Sequence, residues 1–269
     1  MKERLDVILV NRGLSPSRDK AKRTIMAGLV TVDGMVEDKA GQKFDKDADV
    51  QVKGKLCPYV SRGGLKLEKA IEVFGIDPSG CVCVDMGAST GGFTDCMLQN
   101  GATKVYAVDV GYGQLDYSLR VDPRVVCMEK TNIRYMDTSL IQDPVQLISI
   151  DVSFISVKHM LPVAAKLLNG KGTVLCLVKP QFEAGREQVG KNGIVRDPAV
   201  HRQVVEKVIG YAKENGFAPV GVTYSPVKGT KGNIEYLLCL KAGEDAGLVE
   251  VSEDDILRAV KEAHGDLDE

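Results

Sequence analysis

The 269-residue chain is 44% apolar and 27% charged, which suits a globular fold with a sizeable core and excludes global disorder. No apolar run reaches the ~18 residues of a membrane span, and the opening MKERLDVILVNRG has no signal-peptide core, so no membrane role is expected. The net charge of −2 hides an asymmetry: residues 1–60 carry +3, residues 61–240 carry +2 and residues 241–269 carry −7. A mildly basic body behind an acidic tail leaves a polyanionic partner open. The seven cysteines make no C-x-x-C pair, so neither a zinc site nor a disulfide framework is indicated, and a reducing cytoplasm is expected.

Residues 1–55 read as a small α+β module. Leu5, Ile8 and Leu9 have helical spacing that Gly13 stops. Ser17 then caps a second helix from Arg18 to Ala27, ended by Gly28, with Arg18, Lys20, Lys22 and Arg23 on its open side. Leu29–Val32, Asp33-Gly34 and Met35-Val36 form a hairpin signal, and Asp49–Val52 adds a strand. Residues 56–62 read as a linker, within a Gly- and Pro-containing stretch from Lys53 to Val60.

Residues 63–245 alternate helices and strands. Helices are expected over Leu65–Phe74, Phe93–Leu98, Ile155–Leu168 and Pro198–Asn215. Strands are expected at Cys81–Val84, Lys104–Val108, Arg124–Met128, Leu147–Ile150, Thr173–Val178, Val220–Tyr224 and Tyr236–Leu240. Seven strands with intervening helices predict a doubly wound, Rossmann-like α/β sheet. Residues 246–269 read as an acidic helix and tail, with Ser252 as cap and Gly265 as stop.

The first strand of this domain runs into Asp85-Met86-Gly87-Ala88-Ser89-Thr90-Gly91-Gly92. This is neither a P-loop nor G-x-G-x-x-G. A carboxylate ahead of the glycines would repel a pyrophosphate but can pair with an ammonium group. Asp109, at the end of the next strand, can accept hydrogen bonds from ribose hydroxyls. Acid, glycine loop and acid together favour the methyl donor S-adenosylmethionine over NAD.

Two further strands end in charges, Leu147–Ile150 in Asp151 and Thr173–Val178 in Lys179, at the sheet edge where open α/β folds bind ligands. Glu235 opens the last strand, and Lys66 lies in the first turn of the helix that leads into the first strand of this domain. A lysine and two acids converging on one cleft are costly unless they pair, which points to a functional site. His159, His201 and His264 fall in predicted helices and read as packing or surface groups.

The stretches Tyr59–Leu67, Asp85–Phe93, Asp151–Ser156, Val178–Glu183 and Gly193–Asp197, in this order, resemble the TlyA family, often labelled hemolysin A. The resemblance covers roughly residues 3–240. It implies an FtsJ-type domain that uses S-adenosylmethionine to methylate ribose 2′-hydroxyls of cytidines in ribosomal RNA, free or within ribosomal subunits. It implies catalytic roles for Lys66, Asp151, Lys179 and Glu235. Cofactor contacts are implied for the Gly87–Gly92 loop, including Ala88, Ser89 and Gly91, and for Asp109, with Glu129 and Asn132 on the adenine side. The first 55 residues resemble a small RNA-binding module of ribosomal proteins and tyrosyl-tRNA synthetases, and Arg4, Arg18, Lys20, Lys22 and Arg23 are candidate phosphate contacts. No metal is needed. The alternative is a non-catalytic RNA-binding ribosome-assembly factor, for which the complete tetrad would have no use.

Overall fold

A computed structural model describes residues 2–26, 28–53, 57–229, 231–243 and 250–267. Residues 54–56 of the expected linker stretch, Ala27 at the second helix end, and 246–249 and 268–269 of the acidic tail lie outside the described residues. The chain divides into two compact units, residues 1–62 and 63–269.

The first unit runs β1 (Lys2–Arg4), α1 (Leu5–Asn11), α2 (Arg18–Met26), β2 (Val30–Val32), β3 (Met35–Glu37), β4 (Lys43–Asp45) and β5 (Val50–Val52). Leu5, Ile8 and Leu9 of α1 pack with Ala21 and Ile25 of α2 on Val30, Val32 and Val50. The helical spacing of the apolar residues thus builds the module's core. Ser17 Oγ accepts from Lys20 N at 3.3 Å, the expected cap. The β2–β3 hairpin turns through Asp33 (φ 50°) and Gly34 (φ 82°), the left-handed pair that a two-residue turn requires. The antiparallel β1–β4 ribbon has no apolar signal, because its three-residue strands, KER and KFD, are largely polar.

The second unit runs α3 (Gly63–Phe74), β6 (Val82–Met86), α4 (Gly92–Gln99), β7 (Lys104–Val108), α5 (Tyr117–Arg120), β8 (Val125–Met128), β9 (Leu147–Ile150), α6 (Leu161–Leu168), β10 (Gly172–Val178), α7 (Pro180–Glu183), α8 (Pro198–Glu214), β11 (Phe217–Tyr224), β12 (Tyr236–Ala242) and α9 (Glu253–Leu267). Its seven-stranded sheet has the order β11-β12-β10-β9-β6-β7-β8, with β12 antiparallel to both neighbours. The fold is Rossmann-like, as expected. All four residues of β9 are buried, as central parallel strands require. Pro219 sits in the edge strand β11, where its missing N–H does least harm.

Three expectations need correction. The helix expected from Ile155 begins only at Leu161; a single 3-10 turn, Val157–His159, precedes it. Ser156 caps that turn, while Glu183 draws the Val157 amide away from a helical ladder. Gly265 does not end the last helix, which continues to Leu267 because that leucine still packs on the core. Nor does the expected C-terminal helix stand outside the α/β domain: Ile256, Ala259, Val260 and Ala263 of α9 are buried in the second unit.

Candidate active site

Strand register brings the charged residues together. Val178 pairs with Tyr236, so Lys179 and Glu235 are the next residues outward on adjacent strands. Asp151 follows Ile150, which pairs with Cys176 on the other side of β10. Lys66 arrives from α3, which packs on β11 and β12. Lys66 Nζ donates to Glu235 Oε2 at 2.5 Å, joining residues 169 apart in sequence. Lys179 Nζ lies 2.5 Å from Asp151 Oδ1 in an ion pair and donates to Ser153 Oγ at 2.9 Å. Both lysines are 9% exposed and Glu235 is 2% exposed. Four charged groups thus form two pairs at the carboxyl end of the parallel strands, Lys66–Glu235 buried and Lys179–Asp151 half-buried through the 21% exposure of the Asp151 side chain, and each pair offsets the cost of desolvation.

The glycine loop closes beside them. A Cβ on Gly87 (φ 91°) would stand 2.4 Å from the Asp151 carbonyl oxygen, so the loop's close approach to Asp151 admits only glycine. Gly91 (φ 94°) is the left-handed residue that starts α4. Ala88 and Gly92 are buried in the loop wall. Asp109 accepts from Ser89 N at 2.8 Å and Gly111 N at 2.6 Å, which ties the loop to the end of β7. Two backbone bonds leave the carboxylate further lone pairs for hydroxyl donors.

Asp85 differs from expectation. It lies inside β6, fully buried, and does not open to a ligand. Its Oδ2 accepts from Thr94 N and Thr94 Oγ1, at 2.9 and 2.7 Å, and its Oδ1 from Ser149 Oγ at 2.9 Å. Burial pushes its pKa up to about 6, against the pull of these donors. The residue clamps α4 to β6 and β9 instead of pairing with an ammonium group.

Glu129 Oε1 accepts from Arg120 at 2.6 Å and from Gln114 N at 3.1 Å; Arg120 above all holds its carboxyl down to about 2. Asn132 is exposed, and its side chain accepts from Arg134 N at 3.2 Å.

Several further side chains in this region are not among the expected site residues. Glu183, 3% exposed, accepts from Ser156 Oγ and Val157 N, both at 2.7 Å, and so anchors the loop after Asp151. Burial pushes its pKa upward. On that loop Phe154 holds a φ of 65°, rare for a bulky residue, with its ring 88% exposed and 5.1 Å from Phe182. Gln181 Nε2 reaches Glu235 Oε1 at 3.4 Å, and Gln181 Oε1 is buried without a partner among the described residues. A Cβ on Gly229 would meet Glu235 Oε1 at 2.4 Å, so this glycine makes room for the carboxylate. Phe154, Gln181 and Glu183 lie within the stretches Asp151–Ser156 and Val178–Glu183 that carry the family resemblance, which is their signal in the sequence.

The five candidate phosphate contacts divide. Arg4 and Arg18 both engage Asp6, which is fully buried: Arg4 Nε at 2.9 Å and Arg18 Nη2 at 3.0 Å. The Arg4 fork leads in holding Asp6 below the usual carboxylate range. These two arginines therefore first serve the module's own structure. Lys22 is 3.6 Å from Asp19, and Arg23 is exposed. Lys20 is exposed and in no ion pair among the described residues.

Among the described residues no group of three or more His, Cys, Asp or Glu could hold a metal, and no helix is long and apolar enough to cross a membrane.

Residues 59–242 match the family profile of FtsJ-like methyltransferases, and residues 3–50 that of the S4 domain. The chain is 52% identical to YqxC of Bacillus subtilis, named provisionally as an rRNA methyltransferase, over 100% of this chain and 96% of that protein. It is 44% identical to the 16S/23S rRNA (cytidine-2′-O)-methyltransferase TlyA of Mycobacterium tuberculosis, over 96% of this chain and 97% of that one. Among solved structures, a protein described as a hemolysin from Streptococcus thermophilus superposes with a TM-score of 0.79 at 47% identity, covering 99% of this chain and 97% of that one.

Proposed function

Because the chain belongs to the FtsJ-like methyltransferase family, in the TlyA branch with an N-terminal S4 domain, we propose that it methylates the ribose 2′-hydroxyl of cytidine in ribosomal RNA. The methyl donor in this reading is S-adenosylmethionine, and the site of action is the cytoplasm. One observation carries the proposal: two lysine–carboxylate pairs with buried lysines, Lys66–Glu235 and Lys179–Asp151, meet beside a glycine loop that only glycine can complete.

The residues fit the donor. The Gly87–Gly92 loop presents backbone where side chains would clash, Asp109 keeps lone pairs for ribose hydroxyls, and Val110 and Tyr112, 72% and 71% exposed, offer apolar surface for a base. When bound, S-adenosylmethionine supplies an electrophilic methyl group on a sulfonium sulfur. A ribose hydroxyl stays protonated near pH 7, so the chain must orient it and move its proton. Lys179 would hold the 2′-oxygen, passing one of its own protons to Asp151 as it takes the hydroxyl proton. This relay needs no neutral lysine before substrate binds. Ser153 fixes the lysine's direction. Lys66, held by Glu235, would stabilise the charge that develops on oxygen. Gln181 Oε1 is a buried acceptor that a substrate hydroxyl would satisfy, and Phe154 is an aromatic face on which a base can stack. Lys20, Lys22 and Arg23 of the first unit would contact phosphates, which position RNA without reading sequence.

The test is transfer of labelled methyl from S-adenosylmethionine to separated small and large ribosomal subunits, with nucleoside analysis of the product. Label in 2′-O-methylcytidine that disappears with Lys179→Ala supports the reading. Donor binding without label on either subunit would favour the assembly-factor alternative.

A further inference from the structure

The motif Gly193–Asp197 takes no part in the catalytic reading, yet it lines a cavity of its own. Ile194, Val195 and Arg196 form one side, Lys228, Gly232 and Ile234 the other, and His264 of α9 closes the remaining wall; the volume is about 260 Å³. The walls are aliphatic and the charged groups are cationic. Arg196 is exposed, with no ion pair among the described residues. The neighbouring Asp197 caps α8 through Ala199 N at 2.8 Å, so its carboxylate is engaged by the helix. The segments facing each other here, residues 184–196 on one side and 225–229 and 231–234 on the other, hold five Lys and Arg against a single Glu.

The cavity is built, not incidental. Asn233, 1% exposed, accepts from Val195 N at 3.0 Å and donates to Gly193 O at 2.9 Å, which staples the two loops together. His201, fully buried, contacts the Val195 carbonyl through Nε2 at 3.0 Å. A carbonyl can only accept, so Nε2 carries the proton. Nδ1 of the same ring faces Tyr236 Oη at 2.9 Å and His264 Nε2 at 3.0 Å. The wall that bears Arg196 is therefore held to β12 and to α9 by buried polar contacts.

Its place on the fold says what it would hold. Ile234 lines the cavity, and the next residue, Glu235, pairs with Lys66 in the catalytic cleft. Ile234 packs in the core cluster with Val204 and Val205 of α8 and Val260 of α9, whereas Glu235 turns to α3. Successive residues in extended backbone point to opposite faces. The tetrad and the cationic cavity thus flank one chain segment at the same sheet edge.

We propose that this cavity binds a nucleotide flanking the methylated one in the RNA substrate, with its phosphate on Arg196 and Lys228 and its sugar or base against Ile194, Val195 and Ile234. The assignment rests on the RNA methyltransferase reading and adds a strand-positioning subsite to it. The RNA would cross the start of β12, with one nucleotide in the tetrad and its neighbour in the cavity.

The experiment measures binding of full-length protein to protein-free bacterial ribosomal RNA across a salt series, for wild type, Arg196→Gln, the double variant Arg196→Gln/Lys228→Gln, and Lys261→Gln on the exposed side of α9 as control. Thermal stabilisation by S-adenosylmethionine confirms that each variant is folded. Removing a phosphate contact lowers the slope of log affinity against log salt by about one for each cation lost and weakens binding roughly tenfold. Wild-type methyl transfer is measured in parallel. If the slopes fall as expected and wild type transfers no methyl, the cavity's contact with RNA phosphate stands, but its place beside a methylated nucleotide falls with the catalytic reading. If wild type transfers methyl and the double variant keeps the wild-type slope, the cavity assignment fails alone. A slope that falls equally in Lys261→Gln also overturns it, because the effect would then be one of general charge.

Discussion

Asp6 in the first unit and Asp85 in the second are both fully buried carboxylates, yet their surroundings drive them in opposite directions. Asp6 is gripped by two guanidiniums and titrates below the usual range, with the Arg4 hydrogen bond as the main cause. Asp85 has hydroxyl and amide donors but no cation, and burial lifts it to about 6. The catalytic edge follows a third pattern: each carboxylate has one lysine, and each lysine is itself nearly buried. Arginines whose heads remain in water, 44% and 54% exposed, tie down a scaffold. Lysines withdrawn from water beside a glycine loop are what the proposed chemistry would use. The sequence motif alone, an acid near a base, does not separate these cases; the exposure of the cation does.

The largest expected effect tests the chemical side. Lys179→Ala removes both the hydroxyl's partner and the relay to Asp151, and methyl transfer should fall about 10²–10⁴-fold in single-turnover assays. Ser153→Ala, which only frees the lysine's direction, should cost less, about tenfold, and chiefly in kcat.

On the scaffold side, Asp6→Ala should loosen the first unit by about 1–3 kcal/mol, less than a fully buried pair because both arginines remain solvated. Faster amide exchange across α1 and α2 would report it. A loss of methyl transfer to isolated cytidine-containing oligonucleotides without that loosening would break the distinction between scaffold and chemistry.

The two buried acids also predict opposite pH signatures. The native state holds the Asp85 proton up to about pH 6, whereas the unfolded chain loses it near 4. Stability from this group therefore falls as pH rises between about 4 and 6, by on the order of 2–3 kcal/mol. Asp85→Asn should flatten that slope in chemical denaturation. Asp6 has the reverse sign: its native pKa is lowered, so its contribution is complete above the unfolded value and is lost as pH falls through the native one. The smallest effect is for Lys20→Gln, which should reduce the RNA salt slope by about one with only a few-fold loss of affinity.

Much of this was legible in the chain. Continuous apolar strands broken by Asp151 and Lys179 mark the sheet's ligand edge, because charge is affordable there and not inside. The Asp33-Gly34 hairpin and the Ser17 cap follow from local turn chemistry. The pairing of Lys66 with Glu235 across 169 residues is not local: strand ends bring charges to one cleft without saying which lysine meets which acid. The burial of Asp85 is not legible, because a carboxylate at the head of a glycine loop looks alike in sequence whether it faces a ligand or Thr94 and Ser149. Arg4 and Arg18 were misweighted for the same reason: composition counts charge but not its partner. Gly265 shows packing overriding propensity, since the apolar stripe of α9 extends past it to Leu267.

The central claim is that Lys179, paired with Asp151, moves the proton of a ribose 2′-hydroxyl during methyl transfer. The direct measurement is single-turnover transfer from S-adenosylmethionine to ribosomal RNA for wild type, Lys179→Ala and Asp151→Asn, with mass-spectrometric location of the methyl group. The account predicts methyl on the cytidine 2′-oxygen in wild type and at least a hundredfold slower transfer in both variants. Wild-type rates in either variant, or methyl on a base nitrogen or carbon, would contradict it.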